Sequence, residues 1–218
     1  MPTEPSFIPA KESPLFIKIF GTYTNILFRR RFDERHINIS YSPAPDRKTI
    51  YFMNHHSWWD GMIPLYLNHN YFRQNARGMM EGKQLRKYSF FSKIGVFSID
   101  LDDRRSILQS LRYAVDSMER PFSSLYIFPQ GKIEPFTPDR LEFKKGLGWL
   151  AKQVPKADLV PIGIYIHTMS SDKPKLHITV GNSIHVDRTL TAEEISGVLQ
   201  NGLSTLLTEV VESTVQKS

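Results

Sequence analysis

The sequence contains no cysteine, so it can form neither a disulfide framework nor a thiolate zinc site, and it has no cysteine nucleophile. It also has no run of about 18 uninterrupted apolar residues, the length that a membrane-spanning helix requires. The best candidate is interrupted by Lys18, Thr22, Thr24 and Asn25. The opening segment MPTEPSFIPAKESPLF lacks the basic region, apolar core and small-residue cleavage site of a secretory signal. These absences predict a protein of a reducing compartment that does not span a bilayer.

Basic side chains exceed acidic ones over the 218 residues, which gives a formal net charge of +6. The length and the 40% hydrophobic content suit one domain with one sizeable core. The basic residues form short clusters: Arg29, Arg30, Arg31 and Arg35; Arg104 and Arg105; Lys144 and Lys145. Anionic lipid, the phosphates of a thioester carrier and nucleic acid are the partners that such clusters bind. No nucleic-acid recognition motif accompanies them, so nucleic acid is not expected.

Short β-like runs alternate with helical patterns through most of the chain. Residues 1–13 are rich in Pro, Ser and Glu without periodicity, which predicts a flexible tail. The predicted strands cover 49–53, 77–80, 96–100, 124–128, 159–166 and 176–180, and the predicted helices cover 14–32, 61–67, 104–118, 145–153 and 191–215. This alternation predicts an α/β fold with a mostly parallel sheet flanked by helices. No linker or repeat divides residues 14–218, which are predicted to form a single domain.

Residues 14–35 contain an amphipathic helix that ends in a basic cluster. Pro14 suits the first turn, and apolar residues recur at spacings of three and four: Leu15, Phe16, Ile19, Tyr23, Ile26, Leu27 and Phe28. A basic end on an apolar helix can lie in a lipid headgroup layer, so the segment is predicted to associate with a membrane surface. The same pattern also suits a helix that packs on its own domain.

The most unusual segment is Asn54-His55-His56-Ser57-Trp58-Trp59-Asp60-Gly61, which directly follows the apolar run 50–53. In an α/β sheet, reactive groups collect where strands end. A turn after the strand can fold Asp60 back toward His55. A carboxylate beside one ring nitrogen fixes the tautomer and stabilises the imidazolium that forms when the other nitrogen takes a proton. His55 is therefore predicted to be a general base for a substrate hydroxyl, with Asn54 and Ser57 holding the loop by hydrogen bonds.

A second strand-like run breaks at Phe128-Pro129-Gln130-Gly131-Lys132. A glycine at such a break lets the backbone approach a ligand closely, and amides at the turn can face a developing oxyanion. Gly131, Gln130 and Lys132 are therefore predicted to bind the oxyanion or the acceptor, with support from Pro129.

On these two segments the sequence resembles the glycerolipid acyltransferase family, the enzymes that acylate glycerol 3-phosphate, lysophosphatidic acid and related acceptors. The family's first motif, Asn-His-x-Ser-x-x-Asp, is intact at Asn54, His55, Ser57 and Asp60. In the family, this His and Asp form the catalytic dyad. Further blocks follow in the family's order as far as Tyr165. The resemblance implies transfer of a fatty acyl group from acyl-CoA or acyl carrier protein to a lipid hydroxyl, at the cytoplasmic face of a membrane and without a cofactor or a metal.

At three positions the sequence lacks a charged residue of the family's pattern. The second motif, Gly-x-x-x-Ile-Asp-Arg, has Leu101 in place of its arginine. The third, Phe-Pro-Glu-Gly-Thr-Arg-Ser, has Gln130 in place of its glutamate and Ile133 in place of its arginine. In the family, these arginines are thought to hold the acceptor's phosphate, for which a guanidinium is the natural bidentate partner. The predicted acceptor is therefore not glycerol phosphate but a larger or uncharged lipid, such as a glycosylated lipid, a lysophospholipid or an isoprenoid derivative.

Several other side chains have more than one interpretation. A cationic rim that suits coenzyme A phosphates or an acidic carrier protein is predicted from Lys132, Arg104, Arg105, Lys144 and Lys145. The three lysines equally suit a role as solvated surface residues. Trp58 and Trp59 suit an acyl channel, a membrane interface or the core.

Two other enzyme classes and one binding role compete with this interpretation. A metal-dependent hydrolase would use His55, His56 and Asp60 as ligands, but adjacent histidines on an extended segment point to opposite sides. A serine esterase would show Gly-x-Ser-x-Gly, which the sequence lacks. A non-catalytic lipid- or carrier-binding protein on the same scaffold is the main alternative, and the intact His55 and Asp60 argue against it.

Overall fold

The computed structural model describes residues 7–168 and 172–215. The strands are β1 (Arg35–Ile39), β2 (Lys48–Met53), β3 (Asn75–Glu81), β4 (Val96–Ile99), β5 (Ser123–Ile127), β6 (Ala157–His167) and β7 (Lys175–Val180). The α-helices are α1 (Pro14–Arg31), α2 (Ile63–Leu67), α3 (Gly82–Lys87), α4 (Arg104–Ser117), α5 (Gly146–Gln153) and α6 (Ala192–Val215). Shorter 3₁₀ segments cover Trp58–Met62 and Ser89–Ile94, and a π-helical turn covers Asn68–Phe72.

These seven strands form one sheet in the order β1-β7-β6-β2-β5-β3-β4. Neighbouring strands run parallel except β6 and β7, which are antiparallel. The predicted α/β fold with a mostly parallel sheet flanked by helices is therefore confirmed. Strand β1 and helix α3 were not predicted. No position of β1 is fully buried, so no apolar run marks it in the sequence.

The two faces of the central strands pack against different helices. In β2, Ile50 and Phe52 belong to the core layer that includes residues of α4, α5 and α6, whereas Tyr51 and Met53 belong to the layer that includes residues of α1 and α2. Because both faces are covered, β2 and β5 are almost continuously buried. This burial explains why both strands appear in the sequence as unbroken apolar runs.

Helix α1 begins after Ser13, whose hydroxyl accepts a hydrogen bond from the Phe16 amide. Its buried positions are Gly21, Thr24 and Phe28. A Cβ at Gly21 would lie 2.4 Å from Nδ1 of His69, so a larger residue would require the His69 ring to move. The side-chain amides of Asn25 and Asn70 exchange two hydrogen bonds of 3.0 and 2.8 Å. One face of α1 is therefore fixed to the domain.

The opposite face of α1 exposes a row of apolar side chains, which we call the outer stripe: Leu15, Ile19, Tyr23 and Ile26. The apolar residues of the helix thus divide between two faces rather than forming one. Across residues 7–168 and 172–215, no helix combines the length and the apolar character that crossing a bilayer requires.

Residues 7–13 form an ordered arm on the edge strand β4, so the predicted flexible tail is wrong for this part. The Ile8 amide donates to the Ser98 hydroxyl at 2.8 Å, and the Ser98 amide donates to the Ile8 carbonyl at 2.9 Å. Glu12 pairs with two guanidinium groups, those of Arg77 and Arg120. The arm is held by main-chain and ionic contacts to distant residues, which leave no periodic signal in its own sequence. Residues 1–6 of the predicted tail lie outside the described residues.

Candidate active site

The two sequence segments predicted to carry the chemistry meet at one edge of the sheet. Strands β2 and β5 are parallel neighbours, with Phe52 paired in register with Ile127. Their carboxyl ends therefore lie side by side, and the segments that follow them, 54–60 and 128–134, leave the sheet at the same place.

Asn54 anchors the first segment to the neighbouring strand β6. Its side-chain Nδ2 donates to the Ile164 carbonyl at 2.9 Å, and its Oδ1 accepts from the Ile164 amide at 2.9 Å. Asn54 is 2% exposed, so both hydrogen bonds are shielded from water. The start of the loop is thereby fixed against the sheet.

Asp60 closes the turn onto His55. Ser57 caps the 3₁₀ segment Trp58–Met62, and the fully buried Asp60 lies in its first turn. A single oxygen of Asp60, Oδ2, accepts the amides of His56 and Ser57, each at 2.7 Å, and the Nδ1 of His55 at 3.1 Å. Because a carboxylate only accepts hydrogen bonds, Nδ1 of His55 carries the proton and Nε2 presents a lone pair.

The second segment holds His55 from the other side. The Phe128 ring stacks on the His55 ring, with centroids 4.3 Å apart and planes inclined by 27°. The His55 amide donates to Oε1 of Gln130 at 2.8 Å, and the His55 carbonyl accepts from the Glu134 amide at 2.9 Å. Nε2 of Gln130 donates in turn to the Glu134 carboxylate at 2.9 Å. Gln130 is thus a buried link between the segments, and both ends of its amide are occupied.

Gly131 shapes the turn after β5 and does not line the cavity at His55. Its φ of +74° is a conformation that favours glycine, and a Cβ would lie 2.8 Å from Leu101 and 3.0 Å from the Lys144 side chain. The Gly131 amide donates to the Phe128 carbonyl at 3.0 Å. The structure therefore gives this N–H to the turn, which differs from the expectation that Gly131 faces an oxyanion.

The candidate cations are spread over several surfaces. Lys132 is 67% exposed at its side chain and pairs with Glu134 at 2.8 Å, an interaction that lowers the pKa of the Glu134 carboxyl. The Lys144 amide donates to the Pro129 carbonyl at 2.9 Å, and its side chain runs past Gly131. Two of the predicted cations thus lie beside the 128–134 segment.

The side chains of the other three candidate cations lie against other parts of the chain. Lys145 pairs with Glu193 of α6 at 2.6 Å. Arg104 and Arg105 begin α4, and Arg105 lines an open groove of about 440 Å³. None of the residues that line this groove also lines the cavity at His55. The structure does not bring these three cations together at the dyad.

The cavity at His55 is small and partly lined by residues that the sequence did not point to. Its volume is about 10 Å³, and its lining residues are Asn54, His55, His56, Gln130, Glu134, Pro135, Phe136, Thr137, Leu141 and Leu207. His56 was expected to point away from His55, but its Nδ1 lies 3.6 Å from the same Asp60 oxygen. The backbone after Met53 is not a strand, so the alternation that this expectation assumed does not apply. Within the described residues, no group of three or more His, Cys, Asp or Glu is arranged to hold a metal ion.

The whole arrangement lies within the part of the chain that a known family describes. The model of the family named Acyltransferase matches residues 35–171, which include His55, Asp60 and the 128–134 segment. The chain belongs to the acyltransferase family. The resemblance to glycerolipid acyltransferases is thereby confirmed.

A solved acyltransferase shares the fold of this one. The crystal structure of the 1-acyl-sn-glycerophosphate (LPA) acyltransferase PlsC from Thermotoga maritima superposes with a TM-score of 0.58, covering 87% of this chain and 79% of that chain at 16% sequence identity. At 16% sequence identity, this similarity shows a shared fold only. The comparison with curated proteins found no match.

Two features of this acyltransferase site could have been inferred from sequence only in part. Phe128 belongs to the third motif, but nothing in the motif says that its ring stacks on His55. Glu134 was not among the predicted site residues, whereas its amide donates to the His55 carbonyl and its carboxylate accepts from Gln130. The sequence feature that could have pointed to Glu134 is Gln130. A glutamine side chain can donate a hydrogen bond to a nearby carboxylate, whereas the glutamate that the family has at this position cannot.

Proposed function

We propose that this acyltransferase moves a fatty acyl group from a thioester to a lipid hydroxyl, with His55 as the general base. The observation that carries the proposal is the Asp60 contact, which keeps the proton on Nδ1 of His55 and leaves Nε2 as an acceptor. Nε2 takes the hydroxyl proton while the oxygen attacks the thioester carbonyl carbon. Asp60 stabilises the imidazolium, which then returns the proton to the departing thiolate. No protein nucleophile is required.

The acceptor in this proposal is a lipid hydroxyl without a glycerol phosphate headgroup. Leu101 contacts the turn at Gly131, and Ile133 is 52% exposed at the position where the family has its second arginine. Two apolar side chains therefore replace the two guanidinium groups that would bind a phosphate dianion. Apolar contact at both positions favours a larger or uncharged lipid.

The activity is tested by thiol release from acyl-CoA and from acyl carrier protein, measured with a total lipid extract and with glycerol 3-phosphate as acceptors. We expect release that depends on the lipid extract and exceeds release with glycerol 3-phosphate by at least about tenfold, because a lost bidentate charge pair costs about 1.5–3 kcal/mol. Mass spectrometry then identifies the acylated lipid. Equal rates with glycerol 3-phosphate would refute the acceptor assignment. Absence of release from both donors would favour the non-catalytic binding role.

We also propose that the outer stripe of α1 lies on the cytoplasmic face of a membrane, next to the active site. Arg29 and Arg30 at the end of the helix are exposed, as anionic lipid of that leaflet would require. The C-terminal part of α1 reaches the catalytic turn, since Trp59 packs on the ring of Phe28 with centroids 6.2 Å apart. Its neighbour Trp58 is 56% exposed, which suits an indole at a lipid interface. A lipid acceptor would then reach His55 without leaving the membrane surface.

Membrane association is tested by replacing Leu15, Ile19 and Ile26 together with glutamine. We expect sedimentation with vesicles that contain anionic lipid to fall by at least about tenfold, because each side chain gives up part of the roughly 1.5–3 kcal/mol of its burial. Val198→Gln is the matched control, since Val198 is 41% exposed on α6. Thermal unfolding should change little because the replaced side chains are exposed. Unchanged sedimentation of the triple variant would rule out the outer stripe as the contact.

A further inference from the structure

His56 lies on the catalytic turn without a role in the His55–Asp60 pair. Its side chain is 10% exposed and lines the cavity at His55. Burial lowers the pKa of His56, so the ring is neutral at pH 7. A neutral imidazole has one nitrogen that donates and one that accepts, and its surroundings determine which is which.

Asn54 fixes the tautomer of His56. The Ile164 amide and carbonyl set the orientation of the Asn54 amide, with Oδ1 toward the N–H and Nδ2 toward the C=O. Nδ2 has a second hydrogen, and Nδ1 of His56 lies 3.2 Å from it. Nδ1 of His56 must therefore accept, which places the ring proton on Nε2. The Asp60 oxygen, 3.6 Å from Nδ1, is too distant to draw the proton to that side.

This Nε2–H is a buried donor with nothing to donate to. Nε2 of His56 has no hydrogen-bond partner within residues 7–168 and 172–215. A buried donor left unpaired costs about 1–3 kcal/mol, so such a group is retained where it has a use. Each donor first expected at an oxyanion has a partner within the protein: the Gly131 amide donates to the Phe128 carbonyl, and the side chains of Gln130 and Lys132 donate to Glu134.

We propose that Nε2–H of His56 is a catalytic hydrogen-bond donor to the thioester carbonyl oxygen. The proposal rests on the proposed acyl transfer. As the acceptor oxygen bonds to the carbonyl carbon, the π electron pair moves onto the carbonyl oxygen, and His56 donates to the resulting oxyanion. When the C–S bond breaks, that pair re-forms the C=O bond and the thiolate takes its proton from His55. His56 neither gains nor loses a proton.

The Phe136 ring packs against the ring of His56 at the edge of the cavity. The two rings lie edge-to-face, with centroids 5.2 Å apart and planes inclined by 65°. A cavity of about 10 Å³ has room for roughly one water molecule and none for an acyl chain. A thioester therefore reaches His56 only when the Phe136 side chain moves aside.

The test compares His56→Gln with His56→Leu. Glutamine places an N–H close to the position of Nε2, whereas leucine fills a similar volume without a donor. We expect kcat of the leucine variant to fall by about 10²–10³, the usual effect of removing one oxyanion donor, with little change in KM. The glutamine variant should recover all but about tenfold of the wild-type kcat.

Nitrogen-15 spectra of the histidine rings in the intact wild-type protein provide a readout independent of turnover. We expect His56 as the neutral Nε2–H tautomer, and a neutral Nδ1–H form would overturn the proposal. So would a leucine variant within about threefold of wild-type kcat, or equal losses in both variants, which would indicate a purely positioning role. If wild-type protein transfers acyl groups from neither donor, the proposed function fails and this role fails with it. An active wild type with a fully active leucine variant refutes only the role of His56.

Discussion

His55→Ala is expected to lower kcat for acyl transfer by at least about 10³ while the protein remains folded. General-base assistance alone contributes about 10²–10⁴ in rate, and alanine offers no proton acceptor in place of Nε2. The fold should persist because the contacts of residue 55 to Gln130 and Glu134 are made by its main chain. The variant loses the ring stacked on Phe128 and one of the three hydrogen bonds to Asp60.

Thiol release provides a clean measurement because the chain has no cysteine, so a thiol reagent detects only the released carrier. Circular dichroism and thermal unfolding establish that the variant is folded. His185→Ala is the matched control, since His185 is exposed and lies outside the cavity. Wild-type turnover by a folded His55→Ala variant would exclude the general-base mechanism.

Asp60→Asn is expected to lower kcat by about 10²–10⁴, since a neutral amide no longer stabilises the imidazolium that forms on His55. The asparagine oxygen must take the place of Oδ2 to keep the amides of His56 and Ser57. Its NH₂ group then occupies the place of Oδ1, which is buried and has no hydrogen-bond partner in the described part of the chain. This unpaired group should reduce the free energy of unfolding by about 1–3 kcal/mol.

Steady-state kinetics and denaturant unfolding test both parts of this expectation. Asp116→Asn removes the same charge from an exposed position on α4 and should leave kcat and stability close to wild type. A kcat for Asp60→Asn within about tenfold of wild type would mean that Asp60 holds the turn without contributing to catalysis. Loss of folding in Asp60→Asn would instead show that the turn depends on the carboxylate charge.

Local patterns predicted the central sheet and the contact between His55 and Asp60. Strands β2 and β5 are buried on both faces, so their apolar runs identify them without knowledge of their neighbours. His55 and Asp60 are five residues apart on one turn, so their contact follows from local geometry. Strand β1 and the arm at residues 7–13 escaped prediction because both are held by hydrogen bonds to distant parts of the chain.

The sequence by itself determined the fold class and the proximity of His55 to Asp60, since each depends on spacings of a few residues. Only the tertiary structure decided how the 128–134 segment is used. Gln130 bonds to His55 across 75 residues and gives its amide to the loop rather than to a substrate. The tautomer of His56 likewise depends on Ile164, which lies 110 residues from Asn54. Hydrogen-bond partners of this kind are fixed by the packing of separate strands, which no local pattern records.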